Sequence, residues 1–199
     1  LKKSKIKFFN KKLIFYDDFY QSYYLNKKKE LPLIDAKMAL SKDFYSIDKK
    51  KKWITNIYSR KWAHLIRSEY DSIISTSRSI NKDNSQLNCR LNGFNQNKPN
   101  LIIIDLKLKI KKKLKIFDSL KKRKILIITN IIKNKKKDYL KKRGVKFISI
   151  SSLNSKNDFI KLFKTLNKRG HNRILVETGL KFLNTLIKNK LIFNLYVFK

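Results

Sequence analysis

Residues 124–150 read KILIITNIIKNKKKDYLKKRGVKFISI. Ile125–Thr129 is an unbroken apolar and β-branched run of strand length. A strand without polar alternation is one covered on both faces. Lys135–Arg143 then supplies strong helix formers, and Gly144 stands where a helix C-terminus favours glycine. Val145–Ile150 reads as the next strand. Strand, helix, strand within so few residues implies a crossover and therefore a parallel pair.

The same alternation extends in both directions. Downstream, Asn157–Lys168 is a predicted helix with Phe159, Ile160, Phe163 and Leu166 on one face, closed by Gly170. Arg173–Glu177 is a strand, Leu180–Lys188 a helix and Asn194–Phe198 a strand. Upstream, Leu101–Asp105 and Ser72–Ser75 are strands. Ser59–Arg67 has a helix face made by Trp62, Leu65 and Ile66, and Leu33–Leu40 is a strand entered through Pro32. Residues 77–100 are polar, carry turn signals at Asn92-Gly93 and Pro99, and read as one long loop of the kind that usually has a function. Residues 1–31 mix lysine runs with aromatics and show no period. They read as a short strand near Ile6–Phe9 or Leu13–Phe15 followed by a linking arm. The expected fold is α/β: three layers, a mostly parallel sheet with helices on both faces.

Composition bounds the function. The chain has 199 residues, 50 Lys+Arg against 14 Asp+Glu, a net charge of +36 and 42% hydrophobic residues. That hydrophobic content suffices for a core, so disorder is not expected. The single cysteine, Cys89, excludes an internal disulfide and a cysteine-rich zinc site. The apolar runs are too short to span a bilayer, and no leader pattern opens the chain, so the expectation is a cytoplasmic protein with no membrane partner. The chain begins at Leu1, which suggests a piece of something longer. The positive charge is carried by 42 Lys and only 8 Arg, in a chain rich in Asn, Ile, Phe and Tyr. AT-rich coding gives that pattern whatever the function, and solvated charge is its ordinary fate. A basic nucleic-acid-binding module is the competing reading, but the lysines are spread over every element and no recognition motif emerges.

Neither common nucleotide loop is present, nor a nucleophile elbow, and His64 and His171 are isolated. Ligands of open α/β sheets sit beyond the carboxyl ends of the strands. Here those ends carry Asp105, Thr129-Asn130, Ser151-Ser152 and Glu177-Thr178-Gly179. The last is the sharpest: a carboxylate, a glycine fit for a tight turn, then a helix whose free amides could receive a phosphate. The alternative is a plain strand-to-helix turn.

A longer pattern decides between these. Residues 32–44 read PLIDAKMALSKDF; Trp53-Ile54-Thr55 and Ser59-Arg60 follow. Then come H-L-x-R-x-x-x-D-x-I at His64–Ile73, D-x-x-x-L-x-x-R at Asp83, Leu87 and Arg90, the strand Leu101–Asp105, and V-E-x-G-x-x-x-L at Val176–Leu183. This ordered set resembles the reductase domain of the bacterial bifunctional riboflavin-biosynthesis deaminase/reductase over about residues 32–199. The resemblance implies a dihydrofolate-reductase-like fold. It implies NADPH-dependent reduction of 5-amino-6-(5-phosphoribosylamino)uracil, with hydride delivered to the sugar C1 carbon in its open, imine-like form. It implies a homodimer, commonly, and no specific nucleic-acid partner.

By position, the resemblance implies substrate contacts at Lys51, Arg67, Leu87, Arg90 and Glu177. Arginine suits a phosphate because its planar fork can hold two oxygens at once. It implies cofactor contacts at Ala39, Trp53, Ser79, Asp83, Leu106, and at Gly179, Leu180, Lys181, Phe182 and Leu183 around the pyrophosphate turn. Asp83 is the one candidate catalytic residue, as cofactor anchor or proton carrier. Four departures stand out. The family's S-L-D-G reads Ser41-Lys42-Asp43-Phe44, Lys51 replaces a small or hydroxyl residue, Thr178 replaces the first glycine of E-G-G, and Leu106 replaces a common Ser. No zinc-deaminase half is present; residues 1–31 resemble its tail plus the connector, and 32–199 the reductase domain without its closing strands. An inactive truncated copy is therefore a further alternative.

Overall fold

A computed structural model describes residues 18–41, 54–94 and 99–199. The expected strands at Ile6–Phe9 and Leu13–Phe15 lie outside them, as do Lys51 and Trp53.

Among the described residues seven strands form one sheet: β1 (Leu33–Ala39), β2 (Ser72–Thr76), β3 (Asn100–Ile104), β4 (Ile125–Thr129), β5 (Lys146–Ser149), β6 (Arg173–Val176) and β7 (Leu195–Phe198). Their order is β5-β4-β3-β2-β6-β1-β7 and every pairing is parallel. The central strands are isoleucine-rich and almost fully buried, the sequence signature of a sheet covered on both sides. Among the described residues six α-helices accompany them: α1 (Asp18–Lys29), α2 (Ile57–Ser68), α3 (Ser77–Asp83), α4 (Lys135–Lys142), α5 (Lys156–Asn167) and α6 (Leu180–Lys188).

Handedness sorts the helices. The chain moves one way across the sheet from β1 through β2, β3 and β4 to β5, then reverses to β6 and β7. Right-handed crossovers put helices of the first leg on one face and those of the return on the other. Accordingly Ile66 of α2, Ile80 of α3 and Leu140 of α4 join Ile73, Leu101, Ile103, Ile125 and Ile127 in one apolar cluster. Phe159 and Phe163 of α5, with Leu183 and Leu186 of α6, join Ile74, Ile102, Leu126 and Val176 in the other. The three-layer α/β expectation is met. β7 lies outside β1 and alternates: Leu195 and Val197 are 41% and 45% exposed, while Tyr196 and Phe198 turn toward the first cluster. No helix of the described residues is long and apolar enough to cross a membrane.

Two segments differ from the sequence reading. Asp18–Lys29, read as a linking arm, is a helix. It has no apolar stripe because polar contacts hold much of it: Ser22 is buried, Asn26 Nδ2 donates to Asn172 Oδ1 at 2.7 Å, and Glu30 just beyond it pairs with Lys164 of α5 at 3.3 Å. The long loop of 77–100 begins with α3, whose sequence SRSINKD hides its helix. Only Ile80 offers an apolar side chain to the core. The signal was Thr76, whose hydroxyl caps the helix by accepting the Ser79 N–H.

Candidate active site

β2 and β6 are neighbours, but α3 leaves β2 on one face of the sheet and α6 leaves β6 on the other. Such a reversal opens a crevice beyond the carboxyl ends of the two strands. Its floor is made of short hydroxyl side chains. Ser79 Oγ accepts the Gly179 N–H at 3.1 Å and lies 3.0 Å from Thr76 Oγ1 and 3.4 Å from Thr178 Oγ1. Gly179 begins α6 with no side chain capping that end, so the first amides of the helix are left for solvent or a ligand. Its φ is −70°, ordinary extended backbone, and a Cβ there would meet Ser79 Oγ at 3.5 Å. The turn therefore does not require glycine.

Glu177 continues β6 directly, its N–H donating to Ile74 O at 2.9 Å. The carboxylate is buried at 8% exposure and bound twice by Arg67 of α2: Nε donates to Oε1 at 2.5 Å and Nη2 to Oε2 at 2.8 Å. Lys37, on β1, stands 3.9 Å from Oε2. Burial alone would raise the Glu177 carboxyl; Arg67, its hydrogen bonds and Lys37 outweigh it and hold the group below the usual carboxylate range. For Arg67, burial pulls downward and Glu177 more than compensates. For Lys37 burial prevails over Glu177 and lowers the ammonium.

The segment after α3 supplies the facing wall. Asn84 and Leu87 take left-handed backbone, with φ of 43° and 48°. Leucine is disfavoured there, so something must hold it. Arg123 does: this 5% exposed side chain donates through Nη1 to Leu87 O at 2.6 Å and through Nη2 to Gln86 O, while Nε reaches Ser119 Oγ at 3.0 Å. Burial, with Arg67 and Arg90 nearby, pushes its guanidinium down to about 10, leaving it charged at neutral pH. Asn88 joins the walls: its backbone oxygen accepts from Arg67 Nη1 at 3.3 Å, and its side-chain oxygen accepts from Arg90 Nη1 at 2.7 Å. Two cations, Arg67 and Lys37, thus flank the Glu177 carboxylate, and Arg90 stands beyond Arg67 on the other side of Asn88, a local excess of positive charge suited to an anion.

A sequence model described as the RibD C-terminal domain matches residues 32–198. The chain belongs to this family. Solved structures with the same fold include Acinetobacter baumannii RibD, with a TM-score of 0.75 at 21% identity, covering 90% of this chain and 49% of that one. The Thermotoga maritima diaminohydroxyphosphoribosylaminopyrimidine deaminase/5-amino-6-(5-phosphoribosylamino)uracil reductase gives 0.69 at 23%, covering 84% and 45%. The Saccharomyces cerevisiae riboflavin biosynthesis reductase Rib7 gives 0.64 at 22%, covering 90% and 80%. The chain thus spans about half the length of the RibD proteins it resembles. No curated protein sequence matches it significantly.

The remaining positions implied by the RibD resemblance fall as follows. Ala39 ends β1, paired with Phe198. Asp83, one turn beyond Ser79 on α3, is exposed and makes no hydrogen bond or ion pair among the described residues. Leu106 follows β3, and its backbone oxygen accepts from Thr129 Oγ1 at 2.9 Å and from Asn130 N at 3.1 Å. Leu87 is in the core, its carbonyl already engaged by Arg123. Leu180 and Lys181 are exposed at the start of α6, whereas Phe182 and Leu183 pack into the core, Phe182 with its ring 6.0 Å from Phe159. Asp105, prominent in the sequence as a strand-end carboxylate, is spent on structure: it accepts from Ser77 Oγ and from the Lys109 and Ile110 amides. Sequence reasoning missed Lys37, Asn88 and Arg123. For Arg123 a signal existed, since arginine is rare in this lysine-rich chain; for Asn88 there was none.

Proposed function

We propose that this chain is an NADPH-dependent reductase acting on 5-amino-6-(5-phosphoribosylamino)uracil in riboflavin biosynthesis. One observation carries the reading: Arg67, Arg90 and Glu177 meet at the carboxyl end of β6, immediately beside the hydroxyl-lined, uncapped start of α6. A sugar phosphate and a pyrophosphate need those two kinds of anchor side by side.

The residues fit a dinucleotide. The open amides of α6, Ser79, Thr178 and the exposed Lys181 are donors suited to a pyrophosphate. Bound there, the cofactor supplies the hydride for the sugar C1 carbon. The chain's own residues do the rest. Glu177, kept ionised by Arg67, accepts from substrate hydroxyls or the pyrimidine. The cations balance the phosphate. Asp83, exposed and uncommitted, is the proposed carrier of the proton that the product nitrogen takes up. Residues 1–31 as the tail of a deaminase half, and a homodimeric state, belong to the same reading.

The purified chain, mixed with NADPH and the deaminated phosphoribosylaminopyrimidine, should oxidise NADPH in step with formation of the ribitylamino product. Absence of turnover together with absence of binding of either ligand rejects the reading.

A further inference from the structure

Arg123, two residues before β4, is buried and pairs with no carboxylate among the described residues. Its planar fork is spent on neutral oxygens. Nη1 donates to Leu87 O at 2.6 Å and to Pro99 O at 3.4 Å, Nη2 donates to Gln86 O, and Nε donates to Ser119 Oγ at 3.0 Å. Taking a cation out of water without a counter-ion is costly. Arg67 avoids that cost through Glu177; Arg123 does not. What its guanidinium secures is a stretch of backbone.

Leu87, at φ 48°, is the outlier of that stretch. A left-handed leucine persists only where its surroundings over-determine it, and such residues gather at ligand clamps and active sites. Arg123 over-determines it by holding two consecutive carbonyls, those of Gln86 and Leu87. In a planar trans peptide the N–H points opposite to the C=O. The same grip therefore turns the Leu87 and Asn88 N–H groups away from the guanidinium, and neither donates to another described residue. With its side chain in the core and its carbonyl taken, Leu87 has only that N–H to offer a ligand. Asn88 continues into the crevice, its backbone oxygen on Arg67 Nη1 and its side-chain oxygen on Arg90 Nη1. Arg123 thus stands behind the wall that Leu87, Asn88 and Arg90 form.

We propose that Arg123 is a positioning residue for the substrate: it touches no ligand, and it sets the substrate affinity of the crevice by fixing the backbone of residues 86–88. This deepens the reductase reading and rests on the segment after α3 being the substrate wall, apart from the cofactor turn at Gly179. The test is steady-state kinetics on the whole chain, with NADPH and the deaminated phosphoribosylaminopyrimidine varied in turn, and calorimetry with ribose 5-phosphate as probe. Arg123→Lys keeps a charge, but one ammonium lacks the fork that holds both carbonyls. It should raise the pyrimidine KM and weaken ribose 5-phosphate about tenfold, the size of one lost hydrogen bond to a charged group. Its kcat and NADPH KM should stay within about twofold of wild type. A role in stability alone would lower the melting temperature and move neither KM. Arg123→Ala should lose more, and guanidinium ion added far below denaturing concentrations should restore most of the pyrimidine KM. Should the Arg123 variants not fold, Ser119→Ala, which removes only the Nε acceptor, should raise the pyrimidine KM about threefold. A pyrimidine KM equal to wild type in the folded variants, or an NADPH KM that rises equally, overturns the proposal. Ribose 5-phosphate binding that depends on Arg123 without NADPH oxidation rejects the reductase reading and leaves this proposal standing. Turnover with a pyrimidine KM indifferent to Arg123 does the reverse, and absence of both turnover and ribose 5-phosphate binding in the wild type rejects both.

Discussion

Glu177 shows how one residue can link stability to chemistry. Its carboxylate survives burial only because Arg67 grips both oxygens. Removing one partner of a buried pair strands the other charge, so Glu177→Gln should cost about 3 kcal/mol in urea unfolding, well beyond a typical surface change. A loss under a few tenths of that would mean the pair is not structurally buried in solution. The pH dependence has two parts. The folded carboxyl lies below its unfolded value of 4.5, so its contribution is complete above pH 4.5 and is lost as pH falls through the lower folded value. His64 lies at about 4 against 6.5 unfolded. Between those values the unfolded chain binds a proton that the folded chain, with the ring partly buried and Arg67 and Arg90 near it, refuses. Stability should therefore fall as pH drops from 6.5 to 4, and His64→Gln should make that fall shallower while leaving the share of His171, whose ring burial also holds below 6.5, and the Glu177 part at lower pH. An unchanged slope in the variant would contradict the assignment. Such groups were only partly legible: the arginine-for-lysine contrast marked Arg67 and Arg90, but the neutral state of His64 depends on neighbours from α2, β6 and the 84–90 segment that no local pattern announces.

At the scale of elements, lysines in a chain full of them are not all solvated. Lys137, at the start of α4, is 4% exposed, and its Nζ donates to Ile131 O at 2.6 Å, Ile132 O at 3.1 Å and Ser149 Oγ at 3.2 Å. Lys136 beside it binds Leu108 O and Ile110 O. Together they clamp the segments after β3 and β4. Lys137→Met should lose about 2 kcal/mol in urea unfolding, because it leaves two carbonyls without a donor; a neutral result would place Nζ in solvent. Arg123→Met should release Gln86 and Leu87 and make the 84–94 segment the first site of limited proteolysis, with wild-type cleavage elsewhere as the comparison. The apolar strands and the helices ended by Gly144 and Gly170 were readable because burial on both faces and a left-handed cap, at φ of 97° and 86°, each force a residue type. α1 and α3 were not, because capping and polar contacts rather than an apolar stripe define them.

The whole molecule combines a strand order that creates a crevice with a net charge of +36. The parallel alternation was legible from isoleucine runs alone, and Glu177-Thr178-Gly179 stood out as the sharpest strand end, but that β2 lies beside β6 there is a matter of strand order, which no local pattern announces. What the sequence left open was whether the charge is the function. Self-repulsion of this size should make the fold salt-dependent: the melting temperature should rise from low to moderate ionic strength as screening shortens the reach of the lysines to about 8 Å. A flat or falling curve would mean the charges are paired in ways the structure does not show. The most direct test of the central claim is NADPH oxidation by the purified chain with 5-amino-6-(5-phosphoribosylamino)uracil, run beside Arg90→Gln. Substrate-dependent oxidation is expected in the wild type, with a loss of at least about tenfold in kcat/KM in the variant. Equal rates in the two proteins would contradict it.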